Sequence, residues 1–198
     1  MPGHVVIAWL AVLLAASAGP QRPTIPEILA ADGASRRVST IPSGLAPALD
    51  VVLQRADMVV RARVGEGTSL LSDDERDVYT AYRLTDVSLL YKKPLRRPTM
   101  LPDLLIAIPG GEITIDGRTF VHEDEAFPLL VPGTVGVFLL EQKGDRYRLA
   151  GPGLGAFAIT REGLRPLSRM NGFGRELAGL SAADAQALIA ARAQAVHR

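Results

Sequence analysis

Segment 127–158 holds the densest apolar run outside the N-terminus, and residues of turn type divide it into short pieces. Pro132-Gly133 and Gly144-Asp145 interrupt it, and four further Gly or Pro residues follow within 151–155. Short apolar runs bounded by such residues are typical of β-strands joined by tight turns. The segment therefore predicts the last strands of a small β-sheet, around which the rest of the chain packs.

The composition suits one domain of ordinary size and excludes cysteine chemistry. The chain has 198 residues, of which 47% are hydrophobic, so a core can form. With 22 basic and 21 acidic residues, the net charge of +1 gives no reason to expect nucleic acid as a partner. Because there is no cysteine, disulfides, thiolate catalysis and cysteine-ligated zinc are excluded.

Residues 1–18 predict a secretory signal peptide. They contain no Asp, Glu, Lys or Arg, and the apolar run 5–16 leads into Ala16-Ser17-Ala18, which fits the small-x-small rule of signal peptidase. The run is shorter than the ~20 residues of a membrane span. A positive n-region is missing, so an uncleaved anchor is the alternative. Cleavage after Ala18 predicts a secreted or periplasmic protein with no transmembrane segment, which would have lost Trp9, the only tryptophan.

Composition divides the remaining chain into three parts. Residues 19–44 are rich in Pro and small polar residues and predict a leader, of which 35–44 is a linker. Residues 45–168 predict a β-barrel domain with a leading helix. Residues 169–198 predict an irregular segment followed by a C-terminal helix.

Three helices are predicted from caps and spacing. Thr24-x-x-Glu27 has capping-box spacing, which predicts a short helix over 25–31. Apolar residues at i, i+3, i+4 and i+7 predict a second helix over 46–56. Ser181 is a good N-cap for a last helix over 182–196. This last helix has few large apolar residues, so we expect it to dock weakly.

The first strands follow from alternation. Residues 57–64 alternate as a half-buried strand does, and 65–77 predict a polar loop. Residues 78–91 predict the longest strand. Part-way along this strand the apolar residues change from even-numbered to odd-numbered positions, which predicts a β-bulge near 85–88. A helix over 84–91 is the alternative, since period alone is weak for short segments.

The later strands follow from hairpin signals. A compact strand over 104–108 precedes Asp116-Gly117, the strongest two-residue hairpin signal in the chain. Turns at 143–145 and 161–163 predict two further hairpins, and 122–126 predicts a loop. Hairpins make a mainly antiparallel sheet, and a continuous sheet with a bulged long strand often closes into a barrel.

Over residues 56–160, the order of strands and turns resembles a pattern found in other proteins. The runs VVRARV, YTAYRLTDVSLLYKK, IPGGE, FPLLVPGTVGVFLLE and YRLAGPGLGAFAI resemble a recurring type of secreted bacterial β-barrel protein. More remotely, they are similar in pattern to the OB-fold of netrin-like modules and tissue inhibitors of metalloproteases. The resemblance implies a mainly β fold: a small antiparallel OB-like barrel, flanked by an N-terminal and a C-terminal α-helix. The inhibitors chelate zinc through an N-terminal cysteine, so without cysteine no residue here inherits that role.

The most metal-like cluster is a run of one histidine and three acids, His122, Glu123, Asp124 and Glu125. Such groups ligate Ca²⁺ or a transition ion. A preformed site normally takes ligands from more than one segment, and H-E-x-x-H is absent, so a solvated polar loop is the main interpretation. A Ser-His-Asp hydrolase would have to use His122 or His197, and no G-x-S-x-G motif positions a serine. We predict no metal and no cofactor.

Two other clusters are candidates. Carboxylates for glycoside chemistry would come from Glu112, Asp116, Glu123 and Glu125. Four cations in a loop suit anionic lipid, polysaccharide or an acidic partner: Lys92, Lys93, Arg96 and Arg97. Both clusters have an ordinary interpretation as solvated surface. The glycine-rich stretch 151–155 lacks the spacing of a dinucleotide site and predicts a bent β-connection.

Export, the OB-like pattern and the lack of a convergent catalytic set favour a non-enzymatic binding module. Its expected partner is a protein or a cell-envelope component, contacted through loops. Two alternatives stay open: a small secreted hydrolase that uses His122 with neighbouring carboxylates, and a structural envelope protein whose contact is the C-terminal helix.

Overall fold

A computed structural model of the chain describes residues 22–40, 48–93, 104–124, 129–143, 146–151, 155–168, 174–177 and 180–197. The predicted signal peptide lies outside these residues, as do Arg96, Arg97 and Glu125. The helices are α1 (Ile25–Asp32), α2 (Leu49–Arg55), α3 (Gly174–Leu177) and α4 (Ala182–Val196). The strands are β1 (Arg36–Thr40), β2 (Met58–Leu71), β3 (Val78–Lys92), β4 (Leu104–Pro109), β5 (Gly111–Ile115), β6 (Arg118–Asp124), β7 (Val135–Lys143), β8 (Arg146–Leu149), β9 (Ala156–Thr160) and β10 (Gly163–Pro166). The mainly β class predicted from the sequence is confirmed.

The strands form two sheets. The smaller sheet has the order β1–β6–β5, with β1 parallel and β5 antiparallel to β6. The larger sheet has the order β10–β9–β7–β2–β3–β4–β8. Its neighbours are antiparallel except β4 and β8, which run parallel, and β8 also pairs with β7. The sheets are therefore mainly antiparallel, as the hairpin signals predict.

Buried side chains form three clusters. The inner cluster lines one side of the larger sheet and includes Met58, Tyr82, Ile106, Phe138 and Tyr147. The outer cluster lies on the opposite side, under α2 and α4, and includes Leu53, Val59, Leu139, Phe157 and Ile189. The third cluster joins α1 to the smaller sheet through Ile25, Leu29, Val78 and Phe120. Because Met58 and Val60 belong to the inner cluster and Val59 to the outer one, the start of β2 is buried on both faces.

The local signals of the first helix and the hairpins are confirmed. Thr24 and Glu27 form a capping box at the start of α1, and Gly33 ends that helix in the left-handed conformation. Asp116 and Gly117 both have positive φ, at 49° and 75°, as a two-residue hairpin turn requires. The hairpins β7–β8 and β9–β10 are also present.

The predicted bulge in the long strand is confirmed, and the alternative of a helix over 84–91 is wrong. Arg61 pairs with Ser88 and Arg63 with Thr85, so β3 has one more residue than β2 between these pairs. Within the extra length Asp86 adopts a φ of 52°. The bulge puts Val87 on the same side of the strand as Leu84, where it packs against the inner cluster. A second register shift, between Val59 and Val60, adds Leu90, so that Tyr91 lies with its partner Val59 in the outer cluster.

Three segments predicted as loop or linker are strands. Residues 36–40 form β1, which pairs along β6 from Arg36 opposite Phe120 to Thr40 opposite Asp124. β2 continues to Leu71, and β6 continues to Asp124. In each case the partner strand supplies hydrogen bonds that the polar sequence does not indicate, so tertiary pairing overrides local composition.

The prediction that the C-terminal helix docks weakly is wrong. α4 buries Ala185, Ile189 and Ala193 completely, and small side chains let it approach α2 closely. Beyond α4, Nε2 of His197 lies 3.0 Å from the carbonyl oxygen of Leu53, and its ring stacks on Tyr91 at 5.6 Å between centroids. The helix is thus part of the outer cluster.

Candidate functional site

The predicted histidine and acid cluster is not brought together by the fold. His122, Glu123 and Asp124 are consecutive on β6, so their side chains alternate between the two faces of the smaller sheet. Glu123 forms an ion pair with Arg37 at 2.9 Å, on the face away from α1. Among the described residues, no three His, Asp or Glu side chains are grouped closely enough to hold a metal.

The other predicted carboxylates also lie at the surface of the smaller sheet. Glu112 is exposed on β5 opposite Val121, which places it on the same face as Glu123. Asp116 lies in the β5–β6 turn. Glu112, Asp116 and Glu123 are all exposed to solvent, so we assign them no chemistry.

The basic loop is only partly described. Lys92 is the last residue of β3, and the backbone N–H of Lys93 donates to the carbonyl of Asp57 at 2.8 Å. Arg96 and Arg97 lie outside the described residues. The anion site predicted from these four cations therefore stays a prediction.

Part of the outward side of the larger sheet is not covered by the helices. α2 and α4 cover the outward side chains of β7, β9 and the start of β2, and α1 packs against Val78 at the start of β3. The outward side chains of residues 79–85 of β3, and those of β4 and β8, belong to none of the three clusters. We define the β3–β4–β8 face by Tyr79, Arg83, Leu105, Arg146 and Arg148.

Strand register brings these residues side by side. Arg83 lies opposite Leu105, whose side chain is 48% exposed although it is large and apolar. Ala81 pairs with Ala107, which pairs in turn with Arg148. Two alanines thus form a low floor between the larger side chains of Tyr79, Arg83 and the β8 arginines.

Hydrogen bonds hold the aromatic and cationic groups of the face. Nη1 of Arg146 donates to the Tyr79 hydroxyl at 2.9 Å, with its Cζ 6.0 Å from the ring centroid. Nε and Nη2 of Arg148 both donate to one carboxylate oxygen of Glu141, at 3.1 and 2.9 Å. Lys143 lies 3.6 Å from the same carboxylate. The tyrosine and the guanidinium groups are therefore positioned without a ligand.

The face is cationic in a nearly neutral protein. The described residues on and beside this face include four cations, Arg83, Lys143, Arg146 and Arg148, and Glu141 pairs with Lys143 and Arg148, whereas the whole chain has a net charge of only +1. Guanidinium groups bind carboxylate or phosphate in a bidentate way, and aromatic rings stack on flat apolar surfaces. The chemistry that this arrangement supports is the binding of an anionic molecule.

Sequence reasoning missed this face because its members come from three distant segments. The available signal was the alternation of cations in Arg146-Tyr147-Arg148 and the outward phase of Tyr79 and Arg83. Alternation identifies the outward residues of a strand, but only the pairing of β4 with both β3 and β8 places them together.

Comparisons with known proteins identify no family for this chain. No protein-family model matches the chain, and searches of curated proteins and of solved structures returned no match. Within the described residues, no helix has the length and apolar character that a membrane span requires.

Proposed function

We propose that the protein is an exported, non-enzymatic binding module built on an OB-like β-barrel, with the β3–β4–β8 face as its contact surface. The observation that carries the proposal is that face, a cationic and partly apolar surface that no described helix covers, with Leu105 at 48% exposure. Export is supported by the signal-like composition of residues 1–18.

The barrel part of the proposal is supported by the pairing of five strands. β2, β3 and β4 are consecutive antiparallel neighbours, and β7 returns after the β5–β6 hairpin to lie beside β2, which is the Greek-key order. β8 pairs with both β4 and β7, so each of the five strands has two neighbours in this set. A five-stranded Greek-key barrel is the OB architecture, which binds ligands on the outside of its sheet.

The two alternative functions have less support. His122 and Glu123 point to opposite faces of β6, so a hydrolase would need an acid from elsewhere. A structural role for the C-terminal helix would have to use its exposed side, whose residues are small or polar, because the apolar side of α4 packs in the outer cluster through Ala185, Ile189 and Ala193.

The test is a capture experiment from a cell-envelope extract with the chain lacking residues 1–18. We compare it with the double variant Arg146→Gln/Arg148→Gln, and with the matched control Arg161→Gln/Arg165→Gln on the β9–β10 hairpin. Both double variants remove two exposed cations. We expect the captured component to be lost with the first variant and kept with the second. Equal capture by both would refute a role for the face.

The hydrolase alternative has its own test. His122→Ala should leave capture unchanged, because His122 lies on the smaller sheet. If the unaltered chain hydrolyses an ester, peptide or glycoside substrate and His122→Ala abolishes that activity, the non-enzymatic proposal fails.

A further inference from the structure

We infer that the ligand of the β3–β4–β8 face is an acidic polysaccharide. The inference rests on the proposed function and goes further, since it names the chemical class of the ligand. It follows from three properties of the face: the sign of its charge, its shape, and the ratio of aromatic to cationic side chains.

The charge of the face selects an anionic ligand. Arg146 and Arg148 are two residues apart on β8, so their side chains leave the sheet on one side about 7 Å apart. Lys143 lies beside Arg146 across the β7–β8 hairpin, and Glu141 pairs with both Lys143 and Arg148, so this edge of the face carries three cations and one acid. Cations at several positions along this edge match a polymer that carries more than one negative charge better than they match a single small anion.

The shape of the face selects a flat, extended ligand. Ala81 and Ala107 form its floor, and the side chains that rise above it are Tyr79, Arg83, Leu105 and the arginines of β8. The aromatic ring and the aliphatic side chain of Leu105 offer apolar surface to the C–H side of a sugar ring. The guanidinium groups at the edge are suited to its carboxylates.

The number of aromatic residues favours sugar over nucleic acid. Single-stranded nucleic acid is held by several aromatic side chains on which successive bases stack. Tyr79 is the single aromatic residue among the outward side chains described on this face. An acidic peptide would contact the cations but would not need the tyrosine ring. A dependence of binding on that ring therefore distinguishes an acidic polysaccharide from an acidic peptide.

The experiment titrates the chain lacking residues 1–18 with three probes in low salt: polygalacturonate, uncharged dextran, and polyglutamate. We expect binding of polygalacturonate, at least about tenfold weaker binding of polyglutamate, and no binding of dextran. Raising the salt from about 50 to about 200 mM should weaken the binding of polygalacturonate, because part of the affinity is electrostatic.

Variants then place the binding on the face. Arg146→Gln/Arg148→Gln should weaken polygalacturonate binding about tenfold or more, whereas Arg161→Gln/Arg165→Gln should not. Tyr79→Ala should weaken it and Tyr79→Phe, which keeps the ring, should largely retain it. Circular dichroism and a thermal melt of each variant show that it is folded before it is titrated.

The outcomes separate this inference from the proposed function. Equal affinity for polyglutamate and polygalacturonate, or no effect of Tyr79→Ala, overturns the polysaccharide inference and leaves a general anion-binding face. Failure to bind polygalacturonate while envelope capture still depends on Arg146 and Arg148 also overturns it, but the binding module stands. If neither capture nor titration responds to the face variants, both proposals fall.

Discussion

The hydroxyl of Thr80 donates a 2.8 Å hydrogen bond to the carbonyl oxygen of Gly110, which ties the start of β3 to the corner between the two sheets. Thr80 is 3% exposed, and the Ser69 hydroxyl lies 3.1 Å from the Thr80 hydroxyl oxygen. Ser69 in turn accepts a hydrogen bond from the backbone N–H of Glu112. At this corner β4 passes directly into β5, so the network fixes how the smaller sheet leaves the larger one.

Gly111→Ala should be strongly destabilising, because this corner has no space for a Cβ atom. The added methyl group would collide with the hydroxyls of Ser69 and Thr80, and the φ of 143° is one that residues with side chains rarely adopt. We expect a loss of about 2–4 kcal/mol in the free energy of unfolding, measured by urea denaturation.

Gly33→Ala is the matched control for the corner. Gly33 also has positive φ, at 65°, but nothing lies within 4 Å of the position that a Cβ atom would take there. Only the backbone strain of about 1 kcal/mol should appear. Equal losses for the two variants would show that the corner is not closely packed.

Tyr147→Phe should leave the protein as stable or make it more so. Within the described part of the chain, the buried hydroxyl of Tyr147 has no hydrogen-bond partner. A buried unsatisfied hydroxyl costs about 1–3 kcal/mol, and phenylalanine removes it without changing the packing of the ring. Tyr82→Phe is the contrasting variant, because Tyr82 has a hydrogen bond with the backbone of Leu130 and should lose about 1 kcal/mol. A destabilised Tyr147→Phe variant would contradict the assignment of an unpaired hydroxyl.

Two tyrosines should ionise late and make stability fall in alkaline solution. Burial raises the pKa of Tyr82, and burial together with the nearby Asp57 carboxylate raises the pKa of Tyr91. A raised pKa in the folded state means that the stability is complete below the unfolded value of about 10 and is lost as the pH rises through the folded values. Difference titrations at about 295 nm against the Tyr82→Phe and Tyr91→Phe variants should therefore show both side chains ionising above the usual value of about 10, and urea midpoints should fall above pH ~10. Ionisation of Tyr82 and Tyr91 at or below pH ~10 in the folded protein would refute this expectation.

Ala193→Leu should disrupt the docking of α4. Ala193 is completely buried in the outer cluster, where small side chains allow the helix to approach α2. Extra methyl groups in a packed site cost about 1–3 kcal/mol. Ala183→Leu, on the exposed side of the same helix, is the control and should change the stability by less than about 0.5 kcal/mol. If both variants unfold alike, α4 is not packed as described.

The elements that sequence reasoning identified are those with local causes. The capping box of Thr24 and Glu27, the positive φ at Asp116 and Gly117, and the phase change that requires a bulge beside Asp86 are all decided within a few residues. Each of them depends on a hydrogen bond or a steric limit that the chain meets before it folds as a whole.

The elements that sequence reasoning missed depend on contacts between residues far apart in the chain. β1 is a short polar strand that forms because β6, far along the chain, offers a parallel edge. α4 docks through alanines, whose contribution depends on how close the neighbouring helix lies. The β3–β4–β8 face needs the parallel pairing of Ala107 with Arg148, which no local pattern predicts. Register between distant strands therefore decides the candidate site, whereas turns and caps decide the element boundaries.

The intrinsic fluorescence of the secreted protein tests the proposed export. Trp9, the one tryptophan of the chain, lies within residues 1–18, and all four tyrosines lie after them. Expressed with its own N-terminus in a bacterium and recovered from the periplasm or medium, the protein should show the emission of tyrosine without a tryptophan band at longer wavelength. Its mass should be that of a chain beginning at Gly19. Recovery of the protein only from membranes, with tryptophan emission retained, would instead support an uncleaved anchor, and the contact face would then work at the membrane surface.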